Sequence, residues 1–207
     1  MDEQDKLVPV FEEVYESASE VNRHLSSKIK LYLIDSMDIN ACAIGRHTLS
    51  VTKGAMDFLD KKALYGLIAH EFGHISHYDS VAIVLCNVGN WFFTALAKFL
   101  MFCIVTIDRI GRNATKSFIV KILRWILNTI YNIITFVGDF ILMYSCRVGE
   151  YKADKFASDC DYGENLIVAL KVLQTANTRV NRGILSQILN THPAIPCRIE
   201  RLERETV

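Results

Sequence analysis

Two histidines four residues apart, with a glutamate directly after the first, form the pattern in this chain that most clearly indicates chemistry. They lie in the segment Ala69-His70-Glu71-Phe72-Gly73-His74. Residues four apart on a helix share one face, so both imidazoles can reach one metal ion. Glu71 projects beside such an ion without ligating it, where its carboxylate can take a proton from metal-activated water. The segment therefore predicts a hydrolytic metal site with Glu71 as the general base.

A catalytic zinc ion also needs a third protein ligand and an open fourth position. The segment Glu150-Tyr-Lys-Ala-Asp154 is expected to begin another helix and to supply Glu150 as that ligand. Asp154, one turn later, is placed to accept a hydrogen bond from the far nitrogen of a liganding histidine. Taken alone, such a pair of acids is typical of a solvated helix face, and it is the histidine motif that favours the metal interpretation. A His-His-Glu set predicts one zinc ion per chain, with cobalt and manganese as alternatives.

Two further positions admit both a chemical and a structural interpretation. His192, in Thr191-His192-Pro193, could donate a hydrogen bond to the oxyanion formed during hydrolysis. Alternatively, Thr191 caps the final helix, Pro193 starts it, and His192 is merely exposed. Asp79, five residues after His74, either supports the metal site or caps the apolar helix that follows.

The remaining pattern predicts a mainly helical chain with a small sheet. Apolar residues at three-and-four spacing indicate an amphipathic helix over residues 5–27, and helices are also expected near Ala55, over Lys61–Tyr78 and after Arg147. Short β-prone runs predict three strands, at Ile29–Ile34, Asn40–Ile44 and His47–Thr52. Gly45-Arg46 between the last two runs indicates a hairpin turn.

An apolar block separates the histidine motif from Glu150. Ser80–Ala97 holds 18 residues without a charge and is the stronger candidate for a membrane span; residues 118–146 are apolar but interrupted by Lys121, Arg124 and Asp139. Such lengths suffice to cross a bilayer, and a soluble, oligomerising helical pair is the alternative. The chain is thus divided into residues 1–79, an inserted helical hairpin over 80–146, and residues 147–207.

Composition restricts the class of protein and its partners. Apolar residues make up 51% of the 207 residues, which excludes wholesale disorder, and the formal net charge of zero argues against a nucleic-acid partner. The six cysteines are scattered without a Cys-x-x-Cys pair, so we expect them to be reduced. No signal peptide is recognised at the N-terminus. Reduced cysteines and the missing signal peptide together favour a membrane protein whose catalytic part faces the cytoplasm.

Together these motifs resemble the HtpX and CAAX prenyl protease family of membrane zinc metallopeptidases, within the gluzincins. The resemblance is carried by four segments: Asn40-Ala41-Cys42-Ala43, His70–His74 with Asp79, Ser145–Asp154, and Thr191-His-Pro193 with Arg198. They occur in this order over most of the chain.

The resemblance implies an α+β fold, mainly helical, in which a small sheet with an exposed edge accompanies the zincin helix. It implies zinc ligands at His70, His74 and Glu150, and an endopeptidase acting on unfolded or membrane-associated polypeptides. Residues Asn40–Ala43 would then form the edge strand that binds substrate main chain, and Arg198 would orient the substrate or hold His192. The apolar block would be a pair of transmembrane helices, with the active site close to the membrane surface. A non-catalytic zinc-binding membrane adaptor or regulator, binding peptides through the same edge strand, is the alternative function.

Overall fold

The chain is mainly helical with one small sheet, as the sequence predicts. The computed structural model describes residues 3–110, 114–177 and 193–205. The elements in chain order are α1 (Glu3–Val21), β1 (Lys30–Ile34), β2 (Ala41–Ile44), β3 (Thr48–Thr52), α2 (Lys53–Phe58), α3 (Lys61–His77), α4 (Asp79–Ile110), α5 (Ala114–Asp159), α6 (Gly163–Asn177) and α7 (Ile195–Glu205). The three predicted strands are all present, each within one residue of its expected start.

The sheet has the strand order β1-β3-β2, which leaves β2 at an edge. Strand β3 pairs in parallel with β1 and antiparallel with β2. The β2–β3 connection is the expected hairpin, and Gly45 supplies its left-handed residue at φ 65°. Leu49 and Val51 of β3 are fully buried, and Ser50 and Thr52 between and after them are buried as well, because β3 is the central strand of the sheet.

Helix α3 runs through the core and carries the histidine motif. Asp60 caps its N-terminus by accepting a hydrogen bond from the Ala63 amide at 2.7 Å. Phe72 is fully buried and packs on the rings of Phe11 and Tyr15 from α1, with ring centroids 5.4 Å and 6.0 Å apart. The amphipathic first helix therefore covers one side of α3 and holds the motif in place.

Two glycines let the neighbouring helices approach α3 closely. A Cβ atom on Gly66 would lie 2.1 Å from the backbone nitrogen of Leu166 in α6. A Cβ atom on Gly73 would lie 2.6 Å from the Cα of Ala153 in α5. Because Gly73 lies within the histidine motif and Ala153 directly precedes Asp154, this second contact brings the two candidate metal-binding segments together.

Glu150 does not begin a helix, contrary to the sequence prediction. It lies within α5, which continues without interruption from Ala114 to Asp159. The prediction relied on the change from an apolar block to an amphipathic pattern after Arg147, and α5 continues through this change and through Gly149. A single glycine costs a helix only about 1 kcal/mol, which the packing of the helix readily outweighs.

The chain divides into two compact units, one formed by Met1–Val81 with Ser145–Val207 and the other by Ala82–Tyr144. The second unit exposes large apolar side chains such as Trp91 (71%), Trp125 (70%) and Phe136 (71%). Within the described residues, Lys121–Asp159 is long and apolar enough to cross a membrane, and α4 contributes the shorter apolar stretch Trp91–Cys103. The run from Lys121 qualifies because its apolar residues outweigh the scattered charges. The sequence-based ranking of Ser80–Ala97 as the stronger span stays a prediction.

The close contact at Gly73 leads to a prediction about stability. Gly73→Ala is expected to lower the free energy of unfolding by about 1–3 kcal/mol, because the added methyl group collides with the backbone of α5. Gly89→Ala is the matched control, since a Cβ at Gly89 meets no atom within 4 Å. Denaturant unfolding of both purified variants measures the difference, and an unchanged stability for Gly73→Ala would contradict the packing described.

Candidate metal centre

Helices α3 and α5 bring three potential ligand atoms together in a buried site. The Nε2 atoms of His70 and His74 lie 3.2 Å apart. The carboxylate of Glu150 faces both rings, with Oε2 at 3.5 Å from His70 Nε2 and Oε1 at 3.6 Å from His74 Nε2. His70 and Glu150 are almost fully buried, whereas His74 is partly exposed.

These separations fit a single tetrahedral cation. Zinc binds histidine nitrogen and carboxylate oxygen at about 2.0–2.2 Å, so tetrahedral neighbours around it lie about 3.3–3.6 Å apart. The measured distances of 3.2 Å, 3.5 Å and 3.6 Å lie within or next to this range. Two neutral imidazoles and one carboxylate are also the donor set expected for a catalytic zinc ion with an open fourth position.

Asp154 fixes the orientation of the His70 ring. Its Oδ1 lies 2.9 Å from Nδ1 of His70, which leaves Nε2 directed towards His74 and Glu150. Burial acts to raise the pKa of Asp154, but hydrogen bonds from His70 and Arg198 outweigh it and hold the pKa below its ordinary value. Asp154 is therefore an anion that accepts the Nδ1 proton and defines the tautomer a metal ligand requires.

Arg198 of α7 lies at the base of the site. Its Nε and Nη2 donate to the two oxygens of Asp154 at 2.8 Å and 2.6 Å, which is a bidentate pair. Its Nη1 lies 2.7 Å from Oε2 of Glu150. The resemblance implied that Arg198 contacts the substrate or His192. In the structure, Arg198 instead pairs with the candidate ligand Glu150 and with Asp154, the carboxylate that orients His70.

The charges of this buried cluster match a divalent cation. Glu71, Glu150 and Asp154 are 6%, 4% and 2% exposed, and Arg198 is the single guanidinium buried among them, at 7%, in the described part of the chain. In a metal-bound form, in which both histidines must be neutral, three carboxylates and one guanidinium leave two net negative charges on the protein. Buried charges are stable only when they are paired, so a doubly charged cation is the natural complement.

Glu71 points from α3 towards the edge strand of the sheet. The backbone N–H of Ala43 in β2 donates to Oε2 of Glu71 at 2.7 Å. This amide faces away from β3, because the backbone of Asn40, three residues earlier, pairs with Thr52 of β3. The candidate base thus lies between the candidate metal ligands and the outer edge of β2.

The other expected site residues have different positions. Asn40 directly precedes β2, Ala41 and Cys42 lie within it, and Cys42 is exposed. Asp79 is the first residue of α4. His192 and Thr191 lie outside the described residues, so their predicted roles stay predictions.

Two relevant features were not recognised in the sequence. The hydroxyl of Thr52 contacts the Asn40 amide and carbonyl and so anchors the start of β2. The same hydroxyl caps α2 by accepting from the Ala55 amide. A threonine directly ahead of a helix is a signal of such a cap in the sequence. The pairing of Arg198 with Asp154 and Glu150 had no local signal, because the residues are far apart in the chain.

The role of Arg198 leads to a prediction about stability. Arg198→Met is expected to destabilise the protein by about 3–5 kcal/mol, because it leaves two buried carboxylates without their cationic partner. Arg201→Met on the same helix is the control, since that side chain is half exposed and pairs with Glu205 at the surface. Equal unfolding midpoints for the two variants would show that the buried pairing contributes little.

Known proteins similar to this chain share both its sequence pattern and its fold. A protease HtpX homolog of Bacillus subtilis is 26% identical over 187 residues, covering 81% of this chain and 60% of the relative. A protease HtpX homolog of Dictyoglomus thermophilum is 31% identical, covering 84% of this chain and 62% of the relative. The crystal structure of S. mikatae Ste24p aligns with a TM-score of 0.58 at 23% identity, covering 91% of this chain and 49% of that one; this likeness concerns the fold alone.

The chain therefore spans about three fifths of the length of the curated relatives it matches. The model of Peptidase family M48 matches residues 3–206, which includes the histidine motif, Glu150, Asp154 and Arg198. Because this match extends over nearly the whole chain, the chain belongs to peptidase family M48.

Proposed function

We propose that this chain is a zinc-dependent endopeptidase that hydrolyses peptide bonds in unfolded or membrane-associated polypeptides. The observation that carries the proposal is the convergence of His70 Nε2, His74 Nε2 and the Glu150 carboxylate at the spacing of one tetrahedral ion. Membership of a peptidase family and relatives named as proteases support the same reaction.

His70, His74 and Glu150 would hold the ion, and Asp154 with Arg198 would keep the ligands in place. A zinc ion bound there supplies Lewis acidity, which polarises the scissile carbonyl and makes water more acidic. A rigid ligand set matters because misplacement by even about 1 Å can cost a large part of the rate.

Glu71 is the proposed general base. Its carboxylate lies next to the ligand set on the same helix, and the Ala43 amide holds one of its oxygens at 2.7 Å. Such a carboxylate takes a proton from the attacking water and passes it to the leaving amine. His192 is proposed, from the sequence, to stabilise the oxyanion.

The edge strand β2 supports binding of an extended substrate. It lies at the edge of the sheet, paired with β3 on one side, and Glu71 contacts it at the Ala43 amide. An extended peptide added along this edge gains main-chain hydrogen bonds irrespective of its sequence, which suits unfolded polypeptides. Because Glu71 meets the strand at Ala43, the scissile bond is expected next to this residue.

We further propose that residues 80–146 associate with a lipid bilayer and that the catalytic part faces the cytoplasm. The exposed apolar side chains of the unit Ala82–Tyr144 and the span Lys121–Asp159 support the bilayer part. An oligomerising hairpin in a soluble protein would be released from membranes by alkaline carbonate, whereas an integral hairpin would stay.

Glu71→Gln tests the general base directly. The variant is expected to retain one zinc ion per chain while cleavage of a casein-like substrate falls by about 10²–10⁴-fold, because an amide cannot accept the proton. Metal quantification and a peptidase assay on the purified protein measure both quantities. Glu164→Gln, at an exposed position on α6, is the control and is expected to leave both unchanged.

Glu150→Ala separates metal binding from proton transfer. This variant is expected to lose zinc as well as cleavage, because it removes a ligand. Zinc in the wild type without any cleavage would favour the adaptor function, and full zinc content in Glu150→Ala would rule out the proposed ligand set.

The proposed strand addition can be tested on the substrate. N-methylation of successive peptide bonds in a cleaved peptide is expected to lower kcat/KM at alternate positions, by about two- to tenfold for each lost hydrogen bond. The period of two follows from the alternation of backbone groups along a strand. A scan in which every position, or none, responds would contradict pairing with β2.

A further inference from the structure

A second contact joins the edge strand to helix α3, away from the metal ligands. Arg46, in the turn that follows β2, places its guanidinium carbon 4.3 Å from the ring centroid of Tyr78. Tyr78 is the residue that ends α3. The pair is a cation–π contact, and we name it the turn–helix clamp.

Tyr78 occupies a backbone conformation that does not suit a tyrosine. It is the left-handed cap of α3 at φ 58°, where glycine or asparagine normally lies. A bulky side chain there lowers stability relative to glycine, so a contact made by the ring offsets part of this cost. In the structure, that contact is the one with Arg46.

The clamp lies beyond the Glu71–Ala43 hydrogen bond on both elements. Arg46 follows Ala43 by three residues, across the left-handed Gly45 of the hairpin turn. Tyr78 follows Glu71 by seven residues at the end of α3, or about 10.5 Å of helical rise. The β2 hairpin and the second half of α3 are therefore joined at two separate places.

We propose that Arg46 and Tyr78 are positioning residues that fix the edge of β2 relative to the ligand-bearing helix α3. This inference rests on the proposed function, in which a peptide binds along β2 next to Glu71. Pairing with β3 holds the strand within the sheet. The contacts at Ala43 and at Arg46 add two attachments between this hairpin and α3 itself. The clamp therefore keeps a bound peptide in register with the metal ligands.

Arg46→Met and Tyr78→Leu test the clamp by removing the cation or the ring. Each is expected to raise KM for an extended peptide by about two- to fivefold, with kcat and zinc content unchanged. Amide hydrogen exchange over residues 41–46 is expected to accelerate by a similar factor. The double variant is expected to be no worse than either single variant, because both break the same contact.

Conservative variants distinguish positioning from general stability. Tyr78→Phe retains the ring and is expected to behave as the wild type. Tyr78→Gly removes the ring but relieves the left-handed backbone, so it is expected to raise KM without lowering the melting temperature. Lys61→Met is the matched control, since it removes a cation–π contact of 5.4 Å with Tyr65 at the other end of α3 and is expected to leave KM unchanged.

Wild-type KM and wild-type exchange in Arg46→Met would overturn the proposal, as would a loss of zinc or of kcat with KM unchanged. If the melting temperature of Tyr78→Leu and Tyr78→Gly fell in proportion to the rise in KM, the pair would stabilise the fold in general and would not position the strand. Absence of cleavage by the wild type would refute the proposed function, and the exchange rates would still decide whether the clamp holds the strand.

Discussion

The arrangement of buried charge around Arg198 is the constraint on which the rest of the site depends. Three carboxylates lie beside one guanidinium in the core of a small helical unit, and two of them pair with it directly. Such a cluster is stable only if each oxygen has a partner, so the orientations of Glu150 and Asp154 are tightly restricted. That restriction directs Glu150 towards the histidines and gives His70 the tautomer that leaves Nε2 available to a metal ion.

Much of this arrangement could be predicted from local patterns. The spacing of His70 and His74, the three strands with their hairpin, and the predominance of helices all depend on short-range periodicity, which survives in a single sequence. Glu150 and Asp154 could be preferred over an ordinary helix face only because the histidine motif called for a third ligand. The continuation of α5 through Gly149 could not be predicted, because packing outweighed the local helix-breaking signal.

Contacts between distant residues were the part that the sequence did not reveal. Arg198 meets Asp154 across 44 positions, and Ala43 meets Glu71 across 28 positions. Neither contact leaves a periodic signal, and each depends on how helices pack on the sheet. The close approach of Gly73 to Ala153 could not be predicted from the sequence either. A glycine within a helix can be explained by a close helix contact only after the neighbouring helix is known.

The order of the ligands along the chain has a consequence for biosynthesis. His70 and His74 precede the apolar unit Ala82–Tyr144, whereas Glu150, Asp154 and Arg198 follow it. A nascent chain that has emerged only as far as α4 holds two histidines and a base but lacks the third ligand, so it binds a metal ion weakly. For the proposed peptidase, the complete set of ligands and supporting residues is therefore present only after the whole apolar unit has been synthesised.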